Sequence, residues 1–215
     1  MALSSGDAMD FTLKFAGELP SQQARAQKNA KHAMRLRFHE QLAMLWAQHA
    51  WLKQYDPASL QIASSHGAYH DVPRPVDGRG LLFRAPLGPF HFVPLVNRIH
   101  LVHCHLAIRL HRPLERGGII YDGGDVDNRL KILFDGLRMP KELKELPDDG
   151  QATSAEPRIF HCLLEDDALI TKVSVESFML LKVPNPTSAN YAEMDIDVHI
   201  EPVAPIMANL PVLFP

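Results

Sequence analysis

Asp125 and Asp127 stand two residues apart just ahead of an apolar-periodic segment, and Lys131 and Asp135 follow at i+4 and i+8 from Asp127. Much later, Leu164-Glu165-Asp166-Asp167 sets three acids in a row before a strand-like run. Carboxylates spaced like Asp125 and Asp127 at a helix start can aim their oxygens at one point. Oxygen donors suit a hard cation such as Mg²⁺, which is commonly held by one or two carboxylates while water and phosphate complete its shell. Such a centre can activate water and clamp the attacking and leaving oxygens of a phosphodiester. The plainer alternative is structural. Asp is a favoured N-cap, acids in a first helical turn suit the macrodipole, and three consecutive acids make a solvated turn. Spacing alone leaves both readings open. An EF-hand is excluded, because the sixth position from Asp125 is Leu130 and the twelfth is Gly136.

Two further polar groupings stand apart from the acids. Between Ser21 and His39 there are five Lys or Arg and no acid. At about 100° per residue, Arg25, Lys28, His32 and Arg35 fall on one arc of a helix, which reads as either a solvated face or a surface for phosphate. In the segment 98–112, His103, His105, Arg109 and His111 alternate with Val102, Cys104, Leu106, Ile108 and Leu110. Alternation places the histidines on one strand face. No acid or cysteine on that face joins them, so a polar or nucleic-acid-facing surface is favoured over zinc. No nucleotide-binding glycine loop, serine-hydrolase elbow or cysteine–histidine nucleophile pattern is present.

The elements that must carry these residues can be read from periodicity. A strand is predicted over 10–15, a helix over 21–52 with Met34, Phe38, Leu42 and Leu45 inward, and a strand over 98–112. A short helix should run to Leu137 with Leu130, Leu133, Phe134 and Leu137 as its core stripe, followed by strands over 170–183 and 194–200. The segment 56–94 is dense in Pro and Gly and reads as a long irregular insertion. The segment 138–163 reads as a surface loop, and 202–215 as a Pro-rich tail. At 215 residues the chain is expected to be a single domain, 46% hydrophobic and 22% charged. It lacks any apolar run long enough to span a membrane, and its two cysteines point to a cytoplasmic setting. With 22 Lys+Arg against 25 Asp+Glu, the net charge of −3 excludes a general basic coat.

The run Gly124-Asp125-Val-Asp127-Asn128-Arg-Leu-Lys131-Ile-Leu-Phe-Asp135-Gly-Leu137, with the later Leu164-Glu-Asp-Asp167-Ala, resembles the RusA family of Holliday-junction resolvases. That family shows Asp-x-Asp-Asn-x-x-Lys, then Phe-Asp-x-Leu, then Asp-Asp before a strand. The likeness is strong over 124–137 and 164–175 and loose elsewhere. It implies a small α+β fold, with a mostly antiparallel or mixed sheet and two main helices, assembled as a homodimer. It also implies Mg²⁺-dependent hydrolysis of branched DNA, with Mn²⁺ as an alternative ion. Asp125, Asp127 and Asp167 would hold the metal, Lys131 would offset charge on the phosphoryl group, and Asp166 and Asp135 would be supporting partners. Arg25, Lys28, Arg35 and Arg109 are the expected phosphate contacts, on charge and facing. The insertions 56–94 and 138–163 and the slightly acidic charge depart from the family. Two rivals therefore stand beside that reading: a non-catalytic DNA-binding or assembly protein on the same scaffold, and a nuclease for another nucleic acid.

Overall fold

Alternating burial organises the first sheet. The computed structural model describes residues 9–20, 24–50, 52–54, 61–62, 83–113, 126–151, 156–181 and 190–204. Strand β1 (Met9–Glu18) is followed by helix α1 (Ala24–Gln48), the two-residue strand β2 (Gln61–Ile62), and strands β3 (Phe83–Leu87), β4 (Phe90–Val96) and β5 (Val102–Arg112). Helix α2 (Val126–Leu137) and strands β6 (Ile159–Leu164), β7 (Ile170–Met179) and β8 (Tyr191–Pro202) complete the order. The first sheet runs β1-β8-β5-β7, antiparallel across its first two pairings and parallel between β5 and β7. The second runs β2-β3-β4-β6, with only β3–β4 antiparallel. With two α-helices among the described residues, this is an α+β fold.

Residues from both sheets and both helices share one core. Leu106, Ile108 and Leu110 of β5 and Met194, Ile196 and Val198 of β8 meet Met34, Phe38 and Leu42 of α1 and Ile132, Leu133 and Leu137 of α2. The expected stripe on α2 shifts by one position: Ile132 is buried, while Leu130 and Phe134 are only partly so. Gly136 lets α2 approach α1 closely, since a Cβ there would lie 3.0 Å from Met34 Cβ.

Two segments differ from their sequence reading. Residues 83–96 form a hairpin rather than an irregular excursion, closed by Gly88-Pro89 with Gly88 at φ +59, a left-handed value that glycine adopts freely. Proline content obscured it. Pro86 is tolerated because β2 pairs only with Phe83 and Arg84, leaving β3 edge-like there. Residues 138–163 are likewise not a simple surface loop. Met139, Leu146 and Phe160 are buried with Phe90 and Phe92 in a second apolar cluster, and β6 pairs with β4. Leu95 and Val96 of β4 are core. The expected Pro-rich tail lies outside the described residues beyond Ala204.

Helix α1 is covered on more than one side, and this explains His161. That ring, on β6, lies 5.3 Å from His39 and 5.2 Å from Trp46, and neither of its nitrogens has a hydrogen-bond partner. Burial first, and the neighbouring His39 second, push its pKa down to about 4. Burial does the same to His100. Both folded values lie below the ordinary 6.5, so between those limits the unfolded chain takes up protons that the native one refuses. Stability is full above 6.5 and declines as pH falls towards 4, by about 1.4 kcal/mol per pH unit per group. Urea unfolding should therefore show a falling midpoint between pH 7 and pH 5. His161→Phe should make that fall shallower, and an unchanged slope would count against the assignment.

Candidate functional site

Helix α2 opens with Asp127 in its first turn, where a negative charge suits the dipole, and Lys131 one turn on. Both side chains are about two-thirds exposed and form an i,i+4 ion pair of 2.9 Å. Arg129, between them, turns inward and donates to the Leu19 carbonyl. Asp125 lies outside the described residues. The exposed edge of α2 thus carries Asp127 and Lys131 together, while its other face is core.

The three consecutive acids after β6 have three different environments. Glu165 is buried: its carboxylate accepts the Arg98 backbone N–H at 2.8 Å, and its own N–H donates to the Val96 carbonyl. Asp166 caps the short 3₁₀ turn Asp167–Leu169, accepting the Ala168 N–H at 3.0 Å, and pairs with Lys141 at 2.9 Å. Partial burial works to raise its pKa, but the Ala168 N–H and Lys141 outweigh that and hold the carboxyl below its usual range. Asp167 is exposed at the head of the turn. That turn packs against α2. Folding therefore brings the element bearing Asp127 and Lys131 against the one bearing Asp167, across some forty residues of chain.

Asp135 sits elsewhere on α2 and has a different task. Its carboxylate holds Lys31 of α1 at 2.6 Å and Arg138 at 2.6 Å, and Arg138 also reaches Glu145 at 3.1 Å. Asp135 thus fastens α2 to α1 and to the segment after it.

The expected phosphate contacts need correction. Arg35 is 2% exposed and donates to the Asp135 carbonyl at 2.8 Å, so it faces the interior. His32, on the same arc, is buried against Glu156 at 2.8 Å. The arc turns inward because α1 is packed on both sides, which a lone helix pattern does not reveal. Lys28 is half-buried, and nothing is described of the Arg25 side chain. Arg109 does face outward from the first sheet, but Asp197 at 2.8 Å and Asp195 at 3.9 Å on β8 already pair with it. Two cations that sequence reasoning missed lie beside the acidic turn. Arg98 and Lys141, each about half exposed, border a cavity of about 250 Å³ together with Glu165, Asp166, Phe92 and Met139. They come from separate loops, so no local pattern marks them.

The histidine face also differs from its reading, because an acid does join it. Glu201 of β8 lies opposite His103 in register, and nitrogen or oxygen atoms of His103, His105 and Glu201 all lie within 4.8 Å of one another. These three residues could hold a metal ion. The signal was available in the alternation of β8, whose buried Met194, Ile196, Val198 and Ile200 force Glu201 onto the outer face, but only pairing of β8 with β5 aligns it.

The chain matches no family model, and comparison with curated proteins and with solved structures gives no match to either. Its class therefore rests on its own fold: an α+β protein with two mixed sheets, in which an acidic turn contacts α2 and three side chains of the first sheet could hold a metal ion. Among the described residues, no helix is long and apolar enough to cross a membrane.

Proposed function

We propose that this protein is a Mg²⁺-dependent, structure-selective endodeoxyribonuclease of the RusA type, acting as a cytoplasmic homodimer on Holliday junctions or other branched DNA. The observation that supports this most is the packing of α2, with Asp127 and Lys131 exposed, against the turn that presents Asp167. The donors suit the ion. Asp127 and Asp167 are exposed carboxylates, and Mg²⁺ favours oxygen ligands while retaining much of its water. Asp125, Asp127 and Asp167 are the residues that would hold it. When bound, the ion supplies acidity to water and positive charge to the phosphodiester. The Lys131 ammonium offsets negative charge that develops on the phosphoryl group. Arg98 and Lys141, half exposed beside the same turn, position the DNA backbone by phosphate contacts.

The dimer follows from the substrate. A four-way junction has two equivalent strands to cut, and one chain carries one set of these acids, so two-fold symmetry needs two chains. β7 is an edge strand of the first sheet, and it carries exposed Val173 and Met179, with exposed Leu181 just beyond. An edge of that kind is open to pairing.

The test is cleavage of a four-way junction, a flap, a plain duplex and an RNA, each with and without Mg²⁺, alongside light scattering of the enzyme. Paired nicks in the junction by a dimer, only with the metal, are the expected result. Cleavage of flaps or RNA in preference would reassign the substrate, and cleavage of none would favour the DNA-binding or assembly protein.

A further inference from the structure

The outer face of the first sheet holds a chelating group that the nuclease reading does not use. His103 and His105 project from β5, and Glu201 from the neighbouring β8. His105 Nε2 and Glu201 Oε2 are 3.6 Å apart, too far for a direct hydrogen bond. Two ligands of one tetrahedral ion, with bonds of ~2.1 Å, stand roughly 3.4 Å apart, so this spacing is that of two donors sharing a cation. Both side chains are partly exposed, which leaves a path for the ion and for water to complete its shell.

Supporting hydrogen bonds prepare the donors. The Thr171 hydroxyl on β7 reaches the Cys104 carbonyl at 3.4 Å and His103 Nδ1 at 2.7 Å. If the hydroxyl donates to the carbonyl, its oxygen accepts the His103 Nδ1 proton, and Nε2 is then the unprotonated ligand atom. On the other side, His199 Nε2 engages Glu201 Oε1 at 2.7 Å, while its Nδ1 engages Asp10 of β1. One carboxylate oxygen is thereby occupied, and Oε2 is the one turned toward His105. Partners that orient a ligand from behind in this way are a regular feature of metal sites.

We infer that His103, His105 and Glu201 form a binding site for a divalent transition ion of the zinc class, oriented by Thr171 and His199. Two imidazoles and one carboxylate favour zinc, cobalt or nickel over Mg²⁺, which seeks oxygen donors. The site is therefore chemically distinct from the Asp127–Asp167 region. The ion joins β5 to β8 directly, and to β7 and β1 through the supporting bonds, so its binding should brace all four strands of the sheet.

The experiment uses the full chain without a histidine tag, titrated with Co²⁺ and followed by visible absorption, with Zn²⁺ competition and thermal unfolding in Zn²⁺. One equivalent of Co²⁺ displaced by Zn²⁺, and a higher Tm with Zn²⁺, are expected. His105→Ala and Glu201→Gln should remove the signal, and Thr171→Val, which keeps all three ligands, should weaken affinity by roughly 10–100-fold. Asp127→Asn and Asp167→Asn should leave it unchanged. No stoichiometric binding, equal binding by His105→Ala, or loss of binding in the aspartate variants instead would overturn the assignment. None of these readouts depends on DNA cleavage.

Discussion

Asp127→Asn and Asp167→Asn are each expected to abolish Mg²⁺-dependent DNA cleavage while leaving the protein folded. Each swap removes a carboxylate charge and nearly preserves shape, so metal affinity suffers far more than packing. Both residues are exposed, and exposed substitutions of this kind usually move stability by no more than about 0.5 kcal/mol. Lys131→Ala is the sharper companion. Its pair with Asp127 is an exposed i,i+4 contact, worth about 0.2–0.5 kcal/mol, so a purely structural lysine would leave the rate intact and lower Tm slightly. A lysine that stabilises transition-state charge would instead lower the rate by roughly 100-fold with Tm almost unchanged. Single-turnover cleavage and thermal melts on the same preparations separate these outcomes. Full activity in either aspartate variant would remove that residue from the site.

The second large effect is on stability, at Asp135. Its carboxylate is surrounded by Lys31 and Arg138, and Arg35 is buried nearby with Nη1 lacking a partner. Burial first pulls the Arg35 pKa down to about 10, against which Glu145 is the main support. Removing the Asp135 charge leaves Lys31 without its anion and Arg138 with Glu145 alone, a change that costs about 3 kcal/mol. Asp135→Asn should thus lower Tm by roughly 6–12 °C for a chain of this length. The effect depends on pH in a definite direction. Partial burial works to raise the Asp135 pKa, but Lys31 and Arg138 outweigh it and bring it below the ordinary 3.8. A depressed folded pKa contributes stability that is complete above 3.8 and lost as pH falls through the folded value. The gap between native and variant should therefore be full at neutral pH and close in strong acid. A gap that is small at pH 7, or that widens in acid, would show that the cluster does not hold α2 in this way. Because α2 carries Asp127 and Lys131, loosening it should also reduce cleavage without touching the acids themselves.

Local sequence determined most of the elements around the site. Alternation in 102–112 and 191–202 dictates two strands with one apolar face, because side chains in a strand repeat every two residues. Apolar spacing from Leu130 to Leu137 likewise makes α2 a helix with Asp127 and Lys131 on its free side. What local pattern could not supply was partnership across the chain. Glu165, Asp166 and Asp167 are three acids in a row, yet burial beside Val96, capping of a turn and exposure give each a separate task. Arg35 belongs to a basic arc by periodicity, yet α1 is covered on both sides and turns it inward. The hairpin at 83–96 hid behind its prolines because its stability comes from pairing with β6 and packing around Phe160, not from intrinsic propensity. Glu201 joins His103 and His105 only because β8 lies beside β5 in a particular register. Periodicity reports which way a side chain points, whereas its neighbour is chosen by the packing of distant segments, and the chemistry of both candidate sites depends on that neighbour.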